Sequence, residues 1–325
     1  MATGVRVGGK PLATGVRAAS LLAFALLAPF IHAATRSVAI TFDDLPAMTA
    51  SEDDDARLER LTRKLLAVIG KTPAIGFVNE DKLLDDNDVM DPRRVALLKA
   101  WLDAGHELGN HTFSHVNLHE VTPAAYEEDI LRGEAVTRPL MAAVGKEPHW
   151  FRHPYLNTGT SLEVRQEIEH FLGEHGYRVA PVTIDDSEWI FGHAYDRAHG
   201  SLLRWRVRRA YLRYMEARFR WYERKSRLVF GREIPQILLL HATMLNADAF
   251  RSLARRIRRR GYRFITVDEA MADPAYSSPD SWVADGGLSW IVRWGVTRGI
   301  SEEQFNGDPP VPKWVQKLAD IKEDE

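Results

Sequence analysis

From Val38 to Val267 short apolar runs alternate with amphipathic stretches, and this rhythm constrains the fold more than any other feature of the chain. The strand-like runs are Val38–Phe42, Ala74–Val78, Glu107–Asn110, Trp150–Arg152, Arg178–Ile184, Gln236–Leu240 and Arg263–Val267. Helical spacing covers Ala56–Ile69, Pro92–Ala104, Pro123–Val144, Leu162–His175 and Asp248–Arg260. Pro92 and Pro123 suit first-turn positions behind the caps Asp91 and Thr122, while Gly105, Gly145, Gly176 and Gly261 stand just past helix ends. Strand–helix alternation implies parallel strands joined by right-handed crossovers. About seven such units predict a distorted (β/α) barrel. An open doubly wound sheet satisfies the same alternation. In both folds chemistry gathers at the C-terminal ends of the strands.

Three segments fall outside the rhythm. Residues 1–33 read as a signal peptide: Arg6, Lys10 and Arg17 precede an apolar run at Ala18–Ala28, and Ile31-His32-Ala33 offers a cleavage motif. The run fits a signal core of roughly 7–15 residues better than a span of about 20. Export to the periplasm or beyond the cell is expected; the alternative is an anchor by an uncleaved N-terminal helix. Residues 34–275 are assigned to the barrel and 276–325 to a C-terminal extension, whose charged tail after Pro309 reads as loose. Within the barrel, 190–235 is an insertion before the sixth strand. Its Leu202–Arg227 stretch is helical in pattern and rich in Arg and aromatics. It reads as an amphipathic helix packed on the barrel with a solvated basic face, or as a lid that meets anionic envelope components.

The chain has no Cys, so a metal here must be held by His, Asp or Glu. Without residues 1–33 it has 40 basic against 45 acidic residues, which does not suit a nucleic-acid binder. No obligate protein partner is indicated.

The strand ends collect the polar residues. The first ends in Asp43-Asp44, two carboxylates that repel unless something neutralises them. The third continues to His111 and His115, a spacing that sets two imidazoles on one face of a helical turn. The fourth carries Arg152 and leads into Pro154-Tyr155, where the Tyr155 N–H enters a turn. The fifth ends in Asp185, Asp186, Glu188 and Trp189: acids and an aromatic wall. The sixth, an apolar run, ends in His241, a position that suits an acid–base residue. His119, four residues past His115, reads as an onlooker.

In this order, Thr-Phe-Asp-Asp, His-Thr-Phe-Ser-His, Arg-His-Pro-Tyr, Asp-Asp-Ser-Glu-Trp and Leu-Leu-Leu-His, the motifs resemble those of the polysaccharide deacetylase (NodB-homology) family, of carbohydrate esterase type. The resemblance spans residues 37–270 and implies a distorted barrel. It implies that Asp44, His111 and His115 bind a divalent metal, zinc by default, with Co, Ni or Fe as alternatives. It makes Asp43 the general base oriented by Arg152, His241 the general acid, and the Tyr155 N–H a donor to the oxyanion. Where the family has Asp before the Trp, this chain has Glu188, so Glu188, Asp185 or Asp186 is expected to orient His241. The family's Asp after the final His is Ala242 here. The implied activity is hydrolysis of acetyl groups on N-acetylated sugars of a polysaccharide or envelope glycan. The alternatives are an O-acetyl esterase or small-molecule amide hydrolase on the same site, or a non-catalytic glycan-binding envelope protein.

Overall fold

The computed structural model describes residues 36–48 and 55–321, with positions 1, 4, 6, 8 and 9. The apolar run and cleavage motif of the signal-peptide reading lie outside these residues. Among the described residues no helix is long and apolar enough to cross a membrane.

The barrel strands are β1 (Ser37–Leu45), β2 (Ala74–Val78), β3 (Glu107–Asn110), β4 (Trp150–Phe151), β5 (Arg178–Val179), β6 (Gln236–His241) and β7 (Arg263–Ile265). All pair in parallel, in the order β5-β4-β3-β2-β1-β6, and β7 pairs with the first residues of β1. The two ends of this path meet. The chain leaving β5 returns at Ile184, which bridges to Leu238 of β6. Thr183 and Ile184 donate to the Ile237 carbonyl, and Ile184 accepts from the Leu239 N–H. The sheet therefore curls into a distorted barrel.

Helices α1 (Asp55–Ile69), α2 (Pro92–Asp103), α3 (Pro123–Arg132), α4 (Thr137–Ala143) and α5 (Leu162–Glu174) follow the first four strands. After β5 come α6 (Glu188–Arg197) and the long α7 (Ser201–Phe230), then α8 (Met244–Arg259) and α9 (Val267–Met271). Two more, α10 (Trp290–Thr297) and α11 (Lys313–Ala319), close the described chain. Asp91 and Thr122 cap α2 and α3 through the N–H groups of Arg93 and Ala125.

Strand periodicity sorts the side chains into two cores. Val38, Ile40 and Phe42 of β1 pack outward with residues of α1, α2 and α8. Ala39 faces the interior with Ile75, Phe77, Trp150, Ala180, Ile237 and Ile265, an apolar plug in the lower barrel. Continuing the same alternation upward gives Thr41 and Asp43 on β1, His111 after β3, Arg152 after β4, and Leu239 and His241 on β6. One two-residue repeat thus stacks a polar layer on an apolar one.

Several expectations are corrected. The 123–144 stretch is two helices, because the chain breaks at Gly133. There a side chain would collide with the Thr112–Phe113 backbone. The fifth strand is only two residues long, and its chain rejoins the sheet at Thr183 and Ile184. The seventh stops at Ile265, because Thr266 caps α9 with a reciprocal Glu269 contact. Helix α8 begins at Met244, capped by Thr243. The tail after Pro309 is not loose: α11 buries Val315 and Ala319, an i,i+4 pair that the surrounding charges obscure. The extension also joins the barrel, with the Trp290 N–H on the Val182 carbonyl and Ser289 Oγ on that of Thr183.

Candidate active site

Asp43 reaches the upper barrel by simple alternation; Asp44 does not. On a regular strand its side chain would leave the barrel, yet both carboxylates line one cavity. The β1–β2 register shifts between Phe42 and Leu45, and Asp44 is left-handed with φ 66°. Such backbone is costly for residues other than Gly, and Asp tolerates it better than most. Thr112 (φ 62°), His115 (φ 55°), Tyr155 (φ 56°) and Leu156 (φ 57°) repeat the pattern in the loops around the cavity. The His pair is therefore not on a helical turn, as its spacing suggested. His111 continues inward from β3, and left-handed backbone at Thr112 and His115 folds the second imidazole back toward the first. Their ring centroids lie 4.9 Å apart.

Ligating atoms of Asp44, His111 and His115 fall within 4.8 Å of one another. His111 Nδ1 donates to the Arg152 carbonyl at 2.7 Å, which fixes the tautomer and turns the Nε2 lone pair to the cavity. Nε2 of His111 and of His115 lie 3.7 and 3.5 Å from Asp44 Oδ1. Burial pushes both imidazoles below their ordinary range, keeping them neutral. Burial would raise Asp44 as well, but the positive charges of Lys82 and His241 oppose it, and this carboxyl is held well below the usual range. Oδ1 of Asp44 is buried and accepts no hydrogen bond. An ionised oxygen without a donor, facing two neutral imidazoles, is a donor set suited to a divalent cation.

Beside this trio, Arg152 is completely buried and makes three attachments. Its Nε donates to the Ala180 carbonyl, Nη2 to Thr41 Oγ1, and Nη1 to both Asp43 oxygens at 3.3 and 3.2 Å. Its guanidinium carbon stands 4.6 Å from the Phe77 ring centroid, on the top of the apolar plug. Burial raises Asp43, Arg152 and His241 pull against it, and the carboxyl settles at about 6.

The opposite wall is His241. Burial opposes its charge, but Glu188 overcomes burial and raises the imidazole to about 9. Glu188 is the first residue of α6, fully buried, with Oε1 3.4 Å from His241 Nδ1. The same oxygen accepts from the His241 backbone N–H and from Asn246 Nδ2. Tyr211 of α7 donates to Asn246 Oδ1 at 2.7 Å. Of the three acids expected to orient His241, Glu188 is therefore the one in contact. Asp186 instead accepts the Glu188 N–H, and burial with the Glu188 charge pushes its carboxyl well up. Asp185, raised by burial, offers its carbonyl to Arg218. Both acids line the cavity, as does Trp189.

The cavity holds about 380 Å³. Tyr155, 59 % exposed, stands at its edge with its ring 4.6 Å from that of His115. His119 stays outside, bonded to the Asp285 carbonyl and the Gly159 N–H. Other residues at the site were not anticipated. Lys82 Nζ lies 3.8 Å from Asp44 Oδ1, and Asn79 Nδ2 bonds the His111 carbonyl. Both follow β2, so the strand-end rule that found the others applies to them too. Gly287 packs so closely on Tyr155 and Leu156 that no side chain fits there. The extension thus forms part of the wall, and no local motif signals it.

The polysaccharide deacetylase family model matches residues 32–179. A peptidoglycan-N-acetylglucosamine deacetylase of Bacillus cereus is 28% identical over 169 residues, 51% of this chain and 50% of that protein. A chitin deacetylase of Arthroderma benhamiae is 24% identical over 240 residues, 73% and 52% of the two chains. Among solved structures, a CE4 family pseudoenzyme from Bacillus anthracis superposes with TM-score 0.47 at 16% identity, over 74% of this chain and 66% of that one. The chain spans about half the length of the curated relatives it matches. The matched segment carries Asp43, Asp44, His111, His115 and Arg152; Glu188 and His241 lie beyond it. The match to the polysaccharide deacetylase model runs from β1 to β5, and the likeness covers that part of the barrel.

Proposed function

We propose that this chain is an exported, metal-dependent deacetylase that hydrolyses acetamides on the N-acetylated sugars of a polysaccharide or cell-envelope glycan. One observation carries the reading: a buried trio of oxygen and imidazole donors faces the same cavity as a carboxylate raised to about 6 and an imidazole raised to about 9. Two groups whose surroundings push their proton affinities apart are the pattern of an acid–base pair. Export rests on the composition of residues 1–33.

Asp44, His111 and His115 would hold the metal, with zinc the first choice and Co, Ni or Fe the alternatives. When bound, a divalent ion there supplies Lewis acidity toward the acetyl carbonyl and acidifies water from a pKa of 15.7 to about 7. Asp43, held on both oxygens by Arg152, takes the proton of the attacking water. The Tyr155 N–H donates to the carbonyl oxygen as negative charge develops on it. His241, kept protonated by Glu188, gives its proton to the leaving sugar amine, a poor leaving group when unprotonated. Trp189 and Tyr155 offer flat walls for the sugar ring.

The test follows acetate release from N-acetylated oligosaccharides and from O-acetyl esters, after chelation and after return of zinc or cobalt. The expected result is metal-dependent release from the N-acetyl substrates in excess over the esters. Preference for esters or small amides would replace the substrate class. Absence of release from every substrate, at full metal occupancy, would favour a glycan-binding protein.

A further inference from the structure

The middle of helix α7 meets the rim of the active-site cavity, where Tyr214 Oη accepts the Ser187 N–H and Arg218 holds the Asp185 carbonyl. It ends near the start of β1, where Glu223 meets Arg36 and Arg260. At about 1.5 Å per residue its 30 residues extend roughly 45 Å down the side of the barrel. One face is core: Val207, Tyr211, Met215, Phe219 and Tyr222 are buried.

The opposite face is of another kind. The helix carries ten basic residues and two acids, in a chain whose net charge is -2. Both acids are consumed by basic partners on α8 and at its end: Glu216 by Arg256 at 2.8 Å and Glu223 by Arg260 at 2.6 Å. Helical spacing then places Arg206, Arg209, Arg213, Arg220 and Arg224 on one outer stripe, all exposed. Among the described residues none of these five pairs with an acid; Arg206 and Arg209 rest over the rings of Trp314 and Trp205. Like charges three and four residues apart disfavour a helix slightly, and among the described residues no carboxylate offsets these. At its upper end the same stripe bears two exposed apolar side chains, Leu202 (71 %) and Trp205 (46 %), with Trp314 of α11 (38 %) alongside.

We propose that this stripe docks the protein on an anionic lipid bilayer, with the arginines over the headgroups and Leu202 and Trp205 entering the interface. The charge complement of five unpaired guanidiniums is an anionic surface. Its shape argues for a sheet-like partner, because the stripe is long and convex. Leu202 argues against a glycan, which stacks on aromatic rings and gains little from an aliphatic side chain. An amphipathic helix with Arg on its polar edge and Trp and Leu at one end is the composition that lies in the membrane interface. The proposal does not depend on the deacetylase reading.

The test is sedimentation of the full chain with vesicles of mixed phosphatidylglycerol and phosphatidylcholine, and with pure phosphatidylcholine. Binding to the anionic vesicles only is expected. Replacing Arg206, Arg209 and Arg213 together by Gln should weaken it roughly 100-fold, and replacing them by Lys should leave most of it. The pair Leu202→Ser and Trp205→Ala should weaken it roughly tenfold. Unaltered melting and circular dichroism establish that each variant is folded. Equal binding of wild type to neutral vesicles, or an unaffected Gln variant, would assign the binding to the N-terminal apolar run and overturn the proposal. Binding insensitive to the Leu202 and Trp205 changes would assign the stripe to a soluble polyanion instead, overturning the bilayer.

Discussion

The two walls of the cavity use the same side chain in opposite ways. On one, His111 and His115 are held neutral, because burial outweighs every nearby negative charge. On the other, His241 is equally enclosed, yet Glu188 raises it to about 9. The difference is in the construction. The first wall consists of strand ends and left-handed turns, close in sequence, with an unpartnered Asp44 oxygen at its centre. The second is assembled from α6, β6, α8 and α7, through Glu188, His241, Asn246 and Tyr211. Neutral imidazoles ligate and charged ones donate, so the surroundings assign the labour before any substrate enters.

Removing the Glu188 charge should blur that contrast most. A His whose folded value is raised stays protonated up to that value, so the alkaline limb of activity should begin only at about pH 9 in the wild type. In Glu188→Gln the largest raising influence is gone, and loss of activity with rising pH should begin at distinctly lower pH. At pH 8.5 a fall in kcat/KM of roughly tenfold or more is expected, with metal content unchanged. The pH profile of kcat/KM is the measurement. A Gln variant with the wild-type alkaline limb would mean that Glu188 does not set the protonation of His241. The sign for stability is parallel: the contribution from His241 is fully present below its ordinary value of 6.5 and is lost as pH rises through about 9.

A smaller effect should follow from Tyr211→Phe, one step further out. It leaves Asn246 Oδ1 buried without its donor, at a cost of about 1–3 kcal/mol. Thermal denaturation should register the loss, and kcat should drop only a few-fold because Asn246 Nδ2 still holds Glu188. Unchanged melting would mean that α7 does not brace this wall.

The two walls also differ in how far the sequence revealed them. The barrel was legible because short apolar runs such as those of β1, β2 and β6 stand between recognisable helical stretches and caps. Asp43, Arg152 and His241 were legible as the polar residues at which those runs end. His111 and His115 were found by their spacing, but through a helical turn that does not exist. The cause is backbone: positive φ at Thr112 and His115 leaves no mark in residue type, since neither is Gly. Asn246 and Tyr211 act from 5 and 30 residues away from His241 in sequence, through contacts only the folded chain creates. The C-terminal extension was misread for a related reason. Its apolar positions are few and scattered among charges, and their partners lie on α6 and on the chain after β5.

The separation of the two walls is tested most directly by measuring metal content and acetate release together in wild type, Asp43→Asn and His111→Ala. Asp43→Asn should keep the metal and lose at least about 100-fold in kcat, because a base has been removed and no ligand. His111→Ala should lose both the metal and the activity. A His111→Ala protein that binds metal as the wild type does and still releases acetate would contradict the assignment of that wall.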